Sequence, residues 1–247
     1  MIVLRSIAFN VAYILGSFVL SVALLWALVL PRRACVVIVS AVYGGYISFV
    51  ERWIMGLRLE LRGLEHLPDD GRYIIAAKHQ SAYETLKLPF MRRLKYPVII
   101  LKKELSYLPV WGLYPWRMGL VPIDRSKGTK ALRDMSRGCK KAVEDGRPVA
   151  IFPQGTRVAP GVVAPYKAGL GKIYKDLGVP IVPMALNSGV FWGRNAFLKK
   201  PGTVVFEFLP PIPADLPPLE AMAQIESALE EASDKLVQDA AESCLRD

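Results

Sequence analysis

From Ser6 to Pro31 the chain carries no charged residue, and the run from Ile14 to Leu30 is by itself long enough to cross the hydrocarbon of a bilayer. A secretory signal fits poorly, because the apolar stretch is too long and no small-x-small cleavage site precedes Arg32-Arg33. A second uncharged stretch, Ala34 to Val50, follows the two arginines at once. Two spanning helices would place those arginines on the far side of the membrane, against the positive-inside tendency. The charges therefore suit either a first segment that spans with a second lying along the inner surface, or a pair that dips in and returns as a hairpin. Arg52-Trp-Ile-Met-Gly-Leu-Arg58 mixes aromatic, apolar and basic residues and reads as an interfacial helix. Residues 1–58 are expected to be membrane-anchoring helices, and residues 59–247 a separate domain large enough to bury its own core.

Charge is unevenly spread. The net value is +10; residues 78–175 hold 20 Lys and Arg against 6 Asp and Glu, whereas residues 203–247 hold 2 against 10. A basic block beside a membrane anchor points to an anionic lipid surface, an anionic substrate or both, and equally suits a plain solvated face. No nucleic-acid motif accompanies it, so nucleic acid is not an expected partner. Cys35, Cys139 and Cys244 are far apart, with neither metal spacing nor a disulfide framework, which fits reduced, cytoplasmic surroundings.

Past the anchor, short apolar runs alternate with longer amphipathic ones. Strands are predicted at residues 73–77, 97–101, 119–123, 149–152, 181–185 and 203–208, and helices at about 83–94, 129–144, 168–176 and 218–240. Such alternation implies an α/β fold, a mixed and largely parallel sheet flanked by helices. The unusual strings fall at strand ends, where α/β folds collect function.

His79-Gln-Ser-Ala-Tyr-Glu84 follows the first predicted strand. Histidine moves protons near neutral pH, and a carboxylate can fix its tautomer. The spacing alone is little better than chance, and a histidine beside a surface acid explains it equally well. Phe152-Pro-Gln-Gly-Thr-Arg157 supplies a forced turn at Gly155 and Thr156 and a guanidinium able to grip a phosphate bidentately. Asp124-Arg125 and Lys102-Lys103 add cations at two further strand ends. Taken singly, Arg125 and Arg157 read equally well as surface residues, and Val179–Pro183 as a plain buried strand. Gly169-Leu-Gly-Lys172 lacks the frame of a phosphate-binding loop, and no His, Cys or Asp cluster suggests a metal.

In order and spacing these strings resemble the blocks of the glycerolipid acyltransferase family. His79 to Glu84 resembles His-x4-Asp. Gly119 to Arg125 resembles Gly-x-x-Phe-Ile-Asp-Arg, with Pro122 in the Phe position. Phe152 to Arg157 resembles Phe-Pro-Glu-Gly-Thr-Arg, with Gln154 in the Glu position, and Val179 to Pro183 is similar to Val-Pro-Ile-x-Pro. The likeness covers about residues 60–210. It implies an acyltransferase that moves a fatty acyl group from acyl-CoA or acyl-carrier protein to the sn-2 hydroxyl of 1-acylglycerol 3-phosphate, with no tightly bound cofactor and no metal. His79 would be the general base and Glu84 its partner, while Lys102, Arg125, Gly155, Thr156 and Arg157 would hold the acceptor's phosphate. The implied surroundings are the inner leaflet of the cell inner membrane, with the catalytic domain facing the cytoplasm. Three other readings stay open: another lysolipid as acceptor, a membrane-bound hydrolase using Ser81 with His79, and a silent lipid-binding protein left possible by Gln154.

Overall fold

In the computed structural model, which describes residues 1–246, all six predicted strands form, and a seventh joins them. They are β1 (Leu57–Arg62), β2 (Ile74–Ala77), β3 (Val98–Lys102), β4 (Val121–Ile123), β5 (Val149–Ile151), β6 (Ile181–Leu186) and β7 (Gly202–Phe208). Their order across the sheet is β1-β7-β6-β2-β5-β3-β4. The five from β6 to β4 run parallel, β7 runs antiparallel to β6, and β1 is parallel to β7.

β2 lies mid-sheet and is buried on both faces, which is why its sequence is a continuous apolar run and not an alternation. Ile74 and Ala76 pack under α5 (Gly128–Glu144), α6 (Gly169–Leu177) and α8 (Pro218–Arg246), through Met135, Cys139, Ile173, Tyr174, Ile225 and Leu229. Burial on that face pushes the Cys139 thiol up to about 12, so it stays protonated and unreactive. Ile75 and Ala77 face the opposite way, against Phe9, Val50, Met55, Tyr83 and Leu88. The second layer is thus supplied largely by the N-terminal helices.

Those helices, α1 (Ile2–Ala23) and α2 (Arg32–Val50), fold back on each other through a turn at Leu25–Val29. The Tyr46 hydroxyl donates to the Ala12 carbonyl at 2.7 Å, and Ser17 Oγ lies 3.0 Å from the Tyr43 hydroxyl, so the pair is an antiparallel hairpin. Both members, α1 and the continuous helix Arg32–Met55, are long and apolar enough to cross a membrane. The base of the hairpin belongs to the domain. Buried Lys199 donates Nζ to Asn10 Oδ1 at 2.9 Å and its backbone N–H to Ser6 Oγ at 3.1 Å. Buried Lys87 pairs with buried Glu51 at 2.7 Å.

Two local expectations are corrected. The helical reading of residues 52–58 holds only to Met55, where a π-helical turn (Glu51–Met55) ends on Gly56 at φ +75°. Leu57-Arg-Leu-Glu-Leu-Arg62 then takes up the period-two alternation of an edge strand, apolar side inward and charges outward. The helix expected over 83–94 stops early: α3 is Tyr83–Lys87, and Pro89, which has no N–H, leaves two 3-10 turns beyond it.

Fully buried Lys78, at the end of β2, reaches the other face and donates to Glu230 Oε2 on α8 at 2.6 Å; Glu230 Oε1 accepts from the Tyr166 hydroxyl at 3.0 Å. Breaking such a pair strands a buried charge. Glu230→Ala should therefore lower unfolding stability by about 3 kcal/mol, and Glu230→Gln, which keeps one acceptor oxygen for Lys78 and turns an amide N–H toward the Tyr166 hydroxyl oxygen, by less. Chemical denaturation of the three proteins measures the difference.

Candidate active site

Because β2, β3, β4 and β5 are parallel neighbours, the segments after them emerge at one edge of the sheet. That edge collects the His79 string, Lys102, Asp124 and the Phe152–Arg157 string. Val179–Pro183 is the exception: Ile181 pairs with Ile74 at the start of β2, so this string enters β6 at the far edge. All six residues of β6 are buried. Its contribution is to the sheet, and what it delivers to the site is the residue at its other end.

That residue is Ser188, first in the short helix α7 (Ser188–Phe191). Glu84 lies at the start of α3, is fully buried, and accepts four hydrogen bonds. Its Oε1 takes His79 Nδ1 at 3.1 Å, the Gln80 N–H at 2.7 Å and the Ser81 N–H at 2.7 Å. Its Oε2 takes the Ser188 hydroxyl at 2.8 Å. A carboxylate only accepts, so Nδ1 of His79 carries the proton and the lone pair is left on Nε2. The imidazole side chain keeps 13 % of its surface exposed and Nε2 has no partner among the described residues. One ring nitrogen is thus fixed and the other is left without a hydrogen bond among the described residues.

The Phe152–Arg157 string wraps the histidine. Phe152 stacks on the imidazole with ring centroids 4.3 Å apart and planes 21° from parallel. The Val158 N–H donates to the His79 carbonyl at 2.7 Å, and the His79 N–H approaches Gln154 Oε1 at 3.4 Å. Gln154 is buried; its Oε1 is the acceptor in that contact, and its Nε2 has no partner among the described residues. Gly155 has φ +68°, and its missing side chain makes room for Lys167, whose Nζ would sit 3.3 Å from a β-carbon there. Arg157 is half-buried, and its carbonyl accepts from Arg194 at 2.9 Å. Thr156 and Lys102 are exposed. The Arg125 side chain lies outside the described residues. Asp124 caps the turn beside it, accepting from the Ser126 N–H and hydroxyl; that hydroxyl, with Lys127 and Lys103, holds its carboxyl below the usual range.

Ser81 does not offer a nucleophile. It is fully buried and its Oγ accepts the Tyr83 N–H at 3.1 Å, so its hydroxyl is turned into the loop. The hydrolase reading loses its serine. Sequence reasoning missed Ser188 and Arg194, which stand far along the chain from the strings they join, and Lys167, which the loop after β5 folds back onto Gly155. It also missed Gln80, whose Oε1 accepts from the Gly189 N–H at 3.1 Å. A side chain at Gly189 would meet Gln80 Cβ at 2.8 Å, so only glycine lets α7 come this near.

A histidine held by a buried carboxylate thus stands at the mouth of a largely parallel sheet. The chain belongs to the acyltransferase family, whose model, described as Acyltransferase, matches residues 58–187. A 1-acyl-sn-glycerol-3-phosphate acyltransferase of Pseudomonas aeruginosa is 32% identical over 206 residues, covering 82% of this chain and 77% of the relative. A putative 1-acyl-sn-glycerol-3-phosphate acyltransferase of Caenorhabditis elegans is 35% identical over 164 residues, 65% of this chain and 61% of that protein. The fold is that of the crystal structure of the 1-acyl-sn-glycerophosphate (LPA) acyltransferase PlsC from Thermotoga maritima. Here the TM-score is 0.71 at 20% identity, covering 95% of this chain and 94% of the other.

Ser188→Ala removes one of four donors to Glu84 and leaves Oε2 buried without a partner. Steady-state acyl transfer should show kcat lower by roughly ten-fold with the acceptor KM unchanged, since only the orientation of the base is loosened.

Proposed function

We propose that the protein transfers a fatty acyl group from a thioester donor, acyl-CoA or acyl-carrier protein, to the sn-2 hydroxyl of 1-acylglycerol 3-phosphate, giving phosphatidate. The observation that carries this reading is the His79–Glu84 pair, with Nδ1 held at 3.1 Å and Nε2 unpartnered among the described residues. Nε2 takes the proton of the sn-2 hydroxyl as its oxygen attacks the thioester carbonyl. The tetrahedral intermediate collapses by breaking the carbon–sulfur bond, and the imidazolium returns the proton to the departing thiolate. No acyl-enzyme is formed, in keeping with the buried hydroxyl of Ser81.

Lys102, Arg125, Gly155, Thr156 and Arg157 are the proposed holders of the acceptor's phosphate, joined by Lys167 at the Gly155 turn. Fixing the phosphate brings the neighbouring hydroxyl to the base, which is how remote binding energy lowers a barrier. Of the residues 1–58 expected to anchor the chain, the helical part that ends at Met55 is the proposed anchor, residing in the inner leaflet with the sheet domain from β1 onward facing the cytoplasm, so that lipid acceptor and product need not leave the membrane. Val11, Ile14, Leu15, Phe18 and Val19 of α1 are each at least half exposed, which supports this placement. Both proposed carriers are anionic and suit the basic centre of the chain.

His79→Ala should cut kcat for acylation of lysophosphatidate by about 10³-fold while the protein remains folded; a near wild-type rate would remove the histidine from the mechanism. Arg157→Ala should raise KM for the phosphate acceptor by roughly ten-fold and leave a phosphate-free lysolipid unaffected. Equal effects on both acceptors would take Arg157 out of the phosphate site.

A further inference from the structure

Behind the catalytic pair, on the side of the edge strand β1, lies a cavity of about 380 Å³ that the proposed acyl transfer does not use. It opens between the end of α2, β1 and the turns after α3. Four exposed guanidiniums, Arg52, Arg58, Arg92 and Arg93, stand around it, and buried Glu51 and Lys87 line its floor. Among the described residues none of the four has a carboxylate within ion-pair distance; Arg52 lies over the Trp53 ring at 5.9 Å. Four like charges so grouped repel one another, and an anion between them relieves that repulsion.

The floor adds a second requirement. Lys87 Nζ donates to Glu51 Oε2 at 2.7 Å and to Ser48 Oγ at 2.8 Å, whereas Glu51 Oε1, buried as deeply, has no donor. A ligand that suits the whole cavity therefore carries a phosphate for the rim and, a few ångströms away, an N–H or O–H for the floor. The location favours a lipid over a soluble anion. Arg52 and Trp53 belong to the helix Arg32–Met55, which is apolar enough to enter a membrane, and Phe49 and Trp53 are 59% and 66% exposed beside the cavity. Exposed aromatic rings next to arginines at the end of an apolar helix mark the depth of phospholipid headgroups.

We propose that this cavity is a headgroup site for a resident bilayer phospholipid, separate from the acyl acceptor, whose phosphodiester lies among Arg52, Arg58, Arg92 and Arg93 and whose distal ammonium or hydroxyl reaches Glu51. The inference rests on the membrane placement proposed above. Phosphatidylethanolamine and phosphatidylglycerol meet both requirements; phosphatidylcholine meets only the first, because its quaternary nitrogen has no proton to donate.

The test is native mass spectrometry of the full chain, delipidated in neutral detergent and titrated with each of the three lipids. The wild type should take up one phosphatidylglycerol or phosphatidylethanolamine in preference to phosphatidylcholine. Arg58→Gln/Arg93→Gln should weaken that uptake by roughly twenty-fold, about five-fold for each arginine. Equal uptake of all three lipids, or unchanged affinity in the variant, would overturn the site. Displacement of the lipid by inorganic phosphate or by acyl carrier protein would overturn it too, in favour of a soluble anion or carrier. Acyl transfer is followed in the same samples. Full turnover without lipid selectivity removes this site and leaves the acyl-transfer reading standing, and selective uptake without turnover does the reverse.

Discussion

The carboxylate of Glu84 is the point on which the site depends. A buried carboxylate is tolerable only when donors surround it, and here there are four, three from the consecutive residues His79, Gln80 and Ser81 and one from Ser188. Two backbone N–H groups close the loop after β2 into a fixed curve. The imidazole is drawn in by Nδ1. The Ser188 hydroxyl ties the same carboxylate to the end of β6, more than a hundred residues later in the chain. Orienting the His79 imidazole and joining two strand ends are thus one interaction, and loosening either loosens both.

Around that centre the segment from Lys78 to Lys87 is fastened from both sides of the sheet. Lys78 goes through one face to Glu230 on α8, and Lys87 goes to Glu51 at the foot of the hairpin. The Tyr83 ring lies between, with Lys87 Nζ 5.6 Å from its centroid. Burial, followed by the charges of Glu51 and Glu84, holds the Tyr83 hydroxyl well above the usual phenol range, so it is a neutral wall between two carboxylates. Pairs of this kind add little net stability over apolar packing of the same volume. What they supply is registry: the hairpin and the C-terminal helix are each keyed to residues within a few positions of the base.

Much of this was legible in the sequence, for identifiable reasons. The six strands announce themselves as short apolar runs because a parallel sheet covered on both faces needs no alternation. The seventh, Leu57–Arg62, alternates clearly, but its first residues sit in a basic, aromatic stretch that reads as an interfacial helix, and only Gly56 marks the change. His79 and Glu84 could be paired from spacing because the loop and the start of α3 are local. Ser188 could not, because nothing nearby says that β6 lies beside β2; that follows from sheet order. The same limit hid Lys167 and Arg194, whose places depend on the course of the loop after β5. The Val179–Pro183 string was conspicuous for its prolines, yet it acts on the site only through what its strand carries.

Two of the departures from the resembled pattern, Glu at 84 and Gln at 154, are connected by geometry. Glu84 Oε1 accepts from the N–H of residue 80, while Gln154 Oε1 faces the N–H of residue 79, so the two side chains approach adjacent peptide units from different sides. Both are buried. A second carboxylate at 154 would place like charges a few ångströms apart in a region of low dielectric, where neither is well screened. An amide supplies the same acceptor oxygen without that repulsion. The longer arm at 84 meanwhile lets one carboxylate span from the imidazole to Ser188. On this geometry the neutral residue at 154 adds no second carboxylate beside Glu84.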